Sequence, residues 1–529
     1  MKRVFSWALL LFLAGCQTTQ QDSVATDEMN PISSSVEETT ASSKEEPTEE
    51  TLNSSAVSAV DKQPEATPWN QEDIWNRIGM QLNMPIPEQK KVDYYRNWYI
   101  KHPNHLRAVS QRAESFLYLI VEEIENRHLP LELALLPIVE SSFDPFAYSH
   151  GSAAGLWQFV PGTGRMYGLD QNYWYDGRRD VKAATSAALD YLESLNKRFE
   201  GNWNHAIAAY NSGGGRVSRA IRKNVNAGKP TDFFSLDLPK ETSGYVPKLL
   251  ALADIVKNQE KYGVAIPPIA NKQVVEQVDP GEQLDIAVAA AYAGMTVGDL
   301  QKLNPAYNQW ATPPEGPHYF LLPLERTDVF AAKAEENRGK GVRVVRYKVK
   351  SGDSLSVIAK KHKTTSDTIR TVNNLNGSFI RAGQHLMIPV SSKGDDAYVF
   401  SAQNRLQKTQ SVARGKYKVT HTVSKGDSLW TIARKHKVSH QSLAKWNGMG
   451  PRDTLRIGQK LVIWKNGSEG SIIRTVHYKV RNGDTLSGIA SKFRVKTADI
   501  VKWNNLNKSR YIKPGQQIKL YVDVTKVSV

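Results

Sequence analysis

The sequence predicts a multidomain chain, a mainly α domain followed by small α+β modules of βααβ order. Three observations lead there. Apolar residues recur at helical spacing through much of residues 69–268. After residue 340, three segments align with one another at matched spacing, which marks repeated small units. Ahead of both lies a stretch with the composition of a leader and tether rather than of a packed core. At roughly 100–200 residues per domain, 529 residues leave room for about three to five domains.

The N-terminus opens with Met1-Lys2-Arg3, then a mostly apolar run over residues 4–13, then Leu13-Ala14-Gly15-Cys16. The run is too short to span a bilayer comfortably. A charged start, an apolar middle and small residues before a cut site predict a signal peptide over residues 1–16. Its last four residues resemble a bacterial lipobox, which implies that Cys16 carries lipid at the mature N-terminus. Stable anchoring takes more than one acyl chain. Gln17, in place of Asp, is similar to outer-membrane sorting patterns, which implies a lipid-anchored protein facing the periplasm. Cys16 is the single cysteine, so no disulfide forms within the chain. Residues 17–68, rich in Ser, Thr, Glu and Asp, are expected to be a disordered acidic tether.

The helical domain is expected over residues 69–268. Leu106, Val109, Ala113, Phe116, Leu117, Ile120, Val121 and Ile124 share helical spacing and predict one helix across residues 105–128. Pro130 closes it, and another helix is expected over residues 131–142. A third starts at the N-cap Asp180 and aligns Val181, Ala184, Ala188, Leu192 and Leu195 on one side. A short helix over residues 202–210 ends at Asn211-Ser212-Gly213-Gly214-Gly215.

The repeats are expected over residues 345–390, 420–464 and 476–521. Each opens on an alternating strand and a Gly-Asp-Ser/Thr turn: Gly352-Asp353-Ser354, Gly426-Asp427-Ser428 and Gly483-Asp484-Thr485. There Asp and Ser/Thr are expected to cap the following helix. Each repeat then carries an Asn at a fixed distance (Asn373, Asn447, Asn504) and closes with Gly-Gln and an apolar strand. Residues 269–340 form a connecting segment or a degenerate further copy, with Gly281, Leu303-Asn304 and Leu322-Pro323 as the faint matches. A βααβ unit of this length resembles the LysM domain, which implies binding to N-acetylglucosamine polymers. Segments at 391–415 and 465–474, rich in Ser, Gly, Lys and Asn, predict modules strung like beads.

The helical domain also holds Glu140-Ser141-Ser142-Phe143-Asp144-Pro145, then Ser149 through Gly155-Leu156-Trp157-Gln158-Phe159, Ala209-Tyr210-Asn211-Ser212-Gly213, and Glu241-Thr242-Ser243-Gly244-Tyr245-Val246. Glu140 follows the apolar run Leu135-Leu136-Pro137-Ile138-Val139, and apolar walls disfavour its charged form. That suits a general acid at neutral pH. Most glycosidases use two carboxylates; the other candidates are Asp144, more simply a turn residue, and Glu241.

Four pieces in this order resemble the lysozyme-like transglycosylase family, glycoside hydrolase family 23. The resemblance implies a lysozyme-like fold and peptidoglycan as substrate, with strands of N-acetylglucosamine (GlcNAc) and N-acetylmuramic acid (MurNAc). It implies that Glu140 alone protonates the glycosidic oxygen and then acts as base on the C6 hydroxyl of MurNAc, giving a 1,6-anhydro end. By position it implies substrate contacts from Ser149, Gln158, Tyr210, Asn211 and Tyr245. Trp157 is expected in the core. Val160 stands where a Met of a Met-Pro pair is frequent in the family, so no methionine–sugar contact is carried over.

A hydrolytic lysozyme and a non-catalytic peptidoglycan-binding lipoprotein are the alternatives. Cofactors are expected to be none. The twelve histidines show no zinc-like spacing, and the triple glycine lacks the Lys-Ser/Thr of a phosphate loop. The net charge of +16 predicts anionic partners. Trp430, Trp446 and Trp503 in a basic region imitate nucleic-acid binding, but the signal peptide places the chain outside the cytoplasm. Peptidoglycan and the membrane are therefore the expected partners, nucleic acid is not, and a monomer is expected.

Overall fold

The computed structural model describes residues 66–149, 151–465, 473–506 and 512–523. The expected signal peptide, Cys16 and nearly all of the expected tether lie outside these residues.

Eleven α-helices come first among the described residues: α1 (Ile74–Gln81), α2 (Lys90–Lys101), α3 (Pro103–Ala113), α4 (Leu117–Asn126), α5 (Leu136–Ser141), α6 (Pro161–Met166), α7 (Val181–Arg198), α8 (Trp203–Ser212), α9 (Gly214–Asn226), α10 (Lys240–Lys257) and α11 (Gln259–Tyr262). Helix α10 is central. Leu249, Leu250, Leu252 and Ile255 are fully enclosed, and α1, α2, α5 and α8 pack around it. Asp180 caps α7 by accepting from the Ala183 N–H at 2.9 Å, and Asn202 caps α8 through His205 N–H at 3.1 Å.

Two expected helices are divided. The stretch 105–128 breaks between α3 and α4, where Phe116 leaves helical geometry (φ −127°) yet stays buried. Apolar spacing continues across the break because both helices face one core. The stretch 131–142 begins as a 3-10 turn, Leu131–Leu135, and becomes α-helical only at Leu136. Pro137 lies in the first turn of α5, where its missing N–H leaves no bond unmade.

Beyond the helical domain, the described residues form four two-stranded antiparallel units. The first pairs β1 (Val275–Val278) with β2 (Phe320–Pro323) around α12 (Ile286–Ala293) and α13 (Val297–Leu303), with α14 (Thr327–Glu336) packed on α12. The second unit is β3 (Arg343–Lys348), α15 (Leu355–His362), α16 (Ser366–Val372) and β4 (His385–Val390). Helix α17 (Ala402–Ser411) leads to the third unit, β5 (Tyr417–Thr422), α18 (Leu429–Lys435), α19 (His440–Trp446) and β6 (Lys460–Lys465). The fourth is β7 (Ile473–Lys479), α20 (Leu486–Lys492), α21 (Thr497–Trp503) and β8 (Gln517–Asp523).

One side-chain device recurs in all four. The amide of Asn447 donates to the Val462 carbonyl at 2.8 Å and accepts from the Val462 N–H at 2.7 Å, so it pairs with the closing strand like another strand. Asn373 does the same with Met387, Asn504 with Lys519, and Asn304 with Leu321. Segment 269–340 thus shares the construction of the three clear repeats.

The Gly-Asp turns differ in one respect from expectation. Ser354, Ser428 and Thr485 cap the helices, accepting from Val357, Thr431 and Gly488 N–H groups. The aspartates instead face backward. Asp353 accepts from the Tyr347 hydroxyl and the Lys350 N–H, both at 2.8 Å, and Asp484 from Tyr478 and Arg481 in the same way. Asp427 bonds to His421 Nε2 and Ser424 N–H. The carboxylate is one residue too early to reach the helix. The preceding glycine takes φ near +86°, which an L side chain rarely adopts.

The linker at 391–415 is not the loose string that its composition suggests. Tyr398 is buried and donates to Asp285, Phe400 N–H bonds Gln301, and Ala402 N–H bonds the Asn308 carbonyl. The Tyr398 and Arg405 side chains and these two backbone N–H groups tie the segment to the first unit, while Ser392, Lys393, Asp395 and Asp396 stay exposed. Residues 466–472 of the second linker lie outside the described residues.

Candidate active site

Glu140 sits in the last turn of α5, and its carboxylate meets α10. The Tyr245 hydroxyl donates to Glu140 Oε1 at 2.5 Å. One turn further along α10, Lys248 Nζ donates to the Val139 carbonyl at 3.3 Å. Glu140 retains some exposure as a residue, but protein surrounds its carboxyl. Loss of hydration pushes its pKa up to about 7; the Tyr245 bond and the Lys248 charge oppose the shift, and Glu241 adds to it. Lys248, itself desolvated, is held below its ordinary range despite Glu140. Burial drives Tyr245 and Tyr210 well above the usual tyrosine range, so both remain hydroxyl donors.

Tyr210 lies near the end of α8, donating to the Trp157 carbonyl at 2.8 Å, with its ring edge-on to Phe159. Beside it, Asn211 Oδ1 accepts from the Thr242 hydroxyl at 2.9 Å. This bond ties α8 to the start of α10. On another side of α10, Gly244 lets α2 come close: a Cβ would stand 2.5 Å from the Tyr95 hydroxyl.

Ser149 and Gln158 occupy the two ends of one loop. The Ser149 hydroxyl accepts from Gly151 and Ala153 N–H groups at 3.2 and 3.1 Å. Gln158 donates to the Gly155 carbonyl at 2.7 Å. Arg178 staples the loop from behind, through Ser152 and Phe159 carbonyls, while Asp176 holds its guanidinium. At Gly155 (φ +80°) a Cβ would stand 1.9 Å from the Arg178 carbonyl, so only glycine fits. Trp157 is fully buried and bonds Thr185.

The structure therefore brings Glu140, Tyr245, Tyr210 and Asn211 together where α5, α8 and α10 meet. Ser149 and Gln158 face the work of holding their own loop. Asp144 accepts from the Phe146 N–H at 2.9 Å and forms a turn. Glu241, exposed on the first turn of α10, acts on Glu140 through its charge. Sequence reasoning missed Lys248 and Thr242. Lys248 stands three residues after Tyr245, on the same face of a helix, which was the available signal. Among the repeat tryptophans, Trp446 and Trp503 pack against their modules, and Trp430 is exposed beneath Arg434. The described residues hold no group of three metal-ligating side chains.

Comparison with known proteins fits this arrangement. The transglycosylase SLT domain matches residues 118–233, and the LysM domain matches 347–389, 421–464 and 478–520. The LysM-like domain of lytic transglycosylase MltD matches 274–338, the segment with the Asn304 clamp. Membrane-bound lytic murein transglycosylase D of Escherichia coli is 39% identical over 407 residues, covering 74% of this chain and 85% of that protein. The chain belongs to the membrane-bound lytic murein transglycosylase D family. It is a multidomain lytic transglycosylase acting on peptidoglycan, with LysM modules that bind this polymer. A putative tributyltin chloride resistance protein of Alteromonas is 44% identical over 166 residues, 31% of this chain and 78% of that one. An autolysin of Enterococcus faecalis is 31% identical over 185 residues, 32% of this chain and 24% of that one.

Proposed function

We propose that Glu140 cleaves the β-1,4 bond between MurNAc and GlcNAc by serving first as acid and then as base. Its proton passes to the glycosidic oxygen as the C1–O bond breaks. The C6 hydroxyl of the same MurNAc then gives its proton to Glu140 and its oxygen to C1, closing a 1,6-anhydro ring without water. An internal nucleophile gains the advantage of proximity. The observation that carries this reading is the Glu140 carboxyl held near pKa 7 against the Tyr245 hydroxyl, poised to lose and regain a proton near neutrality. Asp144 is engaged in its turn, which leaves no candidate there for a separate base. Tyr210, Asn211, Tyr245, Ser149 and Gln158 border the sugar path in this proposal, the last two by shaping the loop.

We read the domains as 69–268 for catalysis, 269–340 as a fourth LysM-like unit, and 345–390, 420–464 and 476–521 as LysM modules, with Gly352, Asp353, Gly426, Asp427, Gly483 and Asp484 forming their turns. Residues 1–16 serve as a lipoprotein signal, Cys16 bears lipid at the outer membrane, and the protein acts as a monomer. No helix among the described residues is long and apolar enough to cross a membrane. Replacing Cys16 with Ser should move the protein from the membrane to the soluble periplasmic fraction.

Mass spectrometry of muropeptides released from purified sacculi tests the chemistry. Products lighter by one water than hydrolytic ones, and absent with Glu140→Gln, are expected. Hydrated reducing ends would establish a lysozyme instead.

A further inference from the structure

The repeats diverge in the loop between the clamping asparagine and the Gly-Gln turn. In the second repeat that loop carries Asp453; at the same offset the third repeat carries Arg510. The first repeat is one residue shorter and has Ser378 and Phe379 in this region. An acid here is peculiar to the second repeat.

Asp453 leaves its module to meet the catalytic domain. Its carboxylate accepts from the Tyr148 hydroxyl at 3.1 Å and from the Ser152 hydroxyl, and still holds its own loop through Gly450 N–H at 2.8 Å. Tyr148 and Ser152 flank Ser149 on the loop that ends at Gln158. The Arg179 guanidinium lies 5.8 Å from the Tyr148 ring, which keeps positive charge close to the Asp453 contact.

A second bridge reaches the same module. Phe146, two residues before Tyr148, stacks on Phe400 with centroids 4.8 Å apart, and Arg405 covers the Phe146 ring at 5.4 Å. Arg405 belongs to α17. At the far end of α17, Gln410 donates to Asn447 of the second repeat at 2.8 Å. The module is therefore held at two points, by its own Asp453 and by a helix seated on the catalytic loop.

We propose that the second LysM module is docked on the rim of the catalytic cleft through Asp453, so that a GlcNAc–MurNAc strand bound to the module is continuous with the strand being cut. The inference rests on the transglycosylase reading above. A docked module presents a strand at fixed distance and direction, and the gain applies only to substrates long enough to reach both sites. Short fragments occupy the cleft alone and are indifferent to the module.

The test compares the full-length protein in detergent with Asp453→Arg, the residue type found in the third repeat. X-ray scattering should show a larger radius of gyration for the variant. On long glycan strands KM should rise roughly five- to tenfold, as loss of a fixed second site predicts. On short soluble fragments kcat and KM should stay unchanged. Asp453→Arg and Ser152→Ala should act non-additively on the long-strand KM, since they remove one contact. Unchanged scattering, or an unchanged long-strand KM, overturns the proposal. Faster cleavage of short fragments by the variant also overturns it, by making the contact an inhibitory cover. If the wild type releases no anhydro product from either substrate, the functional reading fails, while scattering still decides the docking.

Discussion

The Tyr245 hydroxyl donates to Glu140 across the junction of α5 and α10 at 2.5 Å, and this bond eases the loss of the proton that burial retains. It favours the charged form, against the desolvation that favours the neutral one. Tyr245→Phe should leave Glu140 protonated to higher pH. The alkaline limb of the rate profile should move upward, while the maximal rate falls about ten- to a hundredfold, as expected for losing a hydrogen bond to a charged group. A pH–rate series on soluble glycan fragments reads both effects.

Lys248 supplies the positive charge facing the same carboxylate. From α10 the groups around Glu140 are Tyr245, Lys248 and Glu241, and from α8 it is Tyr210; from α3, His105 faces Lys248. Lys248→Met should also shift the alkaline limb upward, and Lys248→Arg should restore it. A rate loss in Lys248→Met with an unmoved limb would assign Lys248 to packing alone.

Glu140 also links stability to pH. Its folded pKa of about 7 lies above the ordinary glutamate value, so the folded state retains a proton that the unfolded chain has lost. Stability therefore falls as pH rises from the ordinary glutamate range to about 7, and the deficit is fully present above that. Glu140→Gln removes it. The variant should match the wild type near pH 4 and exceed it near pH 8, by an amount on the order of 3 kcal/mol. Thermal unfolding of the two proteins at both pH values checks the sign.

Asn447 is buried and bonds Leu443 and Gln410 as well as both backbone groups of Val462. Asn447→Ala would leave the Val462 N–H and C=O unpaired in the module core. A loss of about 2–4 kcal/mol is expected from two such groups. Hydrogen exchange at the Val462 amide should accelerate far more than exchange within α10.

Much of this architecture was legible because it is local. The cap Asp180, the apolar face of α7 and the Gly-Asp turns each depend on a few neighbouring residues. The cluster around Glu140 was legible through family resemblance, since nothing in the spacing of residues 140, 210 and 245 says that they meet. Lys248 escaped because a lysine on a helix is usually a solvated surface group. The break at Phe116 escaped because an apolar period records which side faces the core, not whether the axis continues. The linker at 391–415 suggests a loose string because the few groups that tie it down find their partners about a hundred positions away, as Tyr398 finds Asp285 and Arg405 finds Asn308. Composition cannot distinguish a polar residue in water from one paired at a distance.

The asparagine clamp separates framework from loop in the four modules. The clamping residue and its strand partner lie 17, 14, 15 and 15 positions apart, yet the same pair of backbone bonds forms each time. A side chain that helps to fix the closing strand leaves the exposed positions of the intervening loop free to vary, while apolar loop residues such as Leu375, Leu455 and Leu506 stay packed on the module. That loop can gain or lose residues and exchange its charges while the scaffold stays as it is. A single small fold thereby furnishes interchangeable mounting points, and one of them came to hold Asp453.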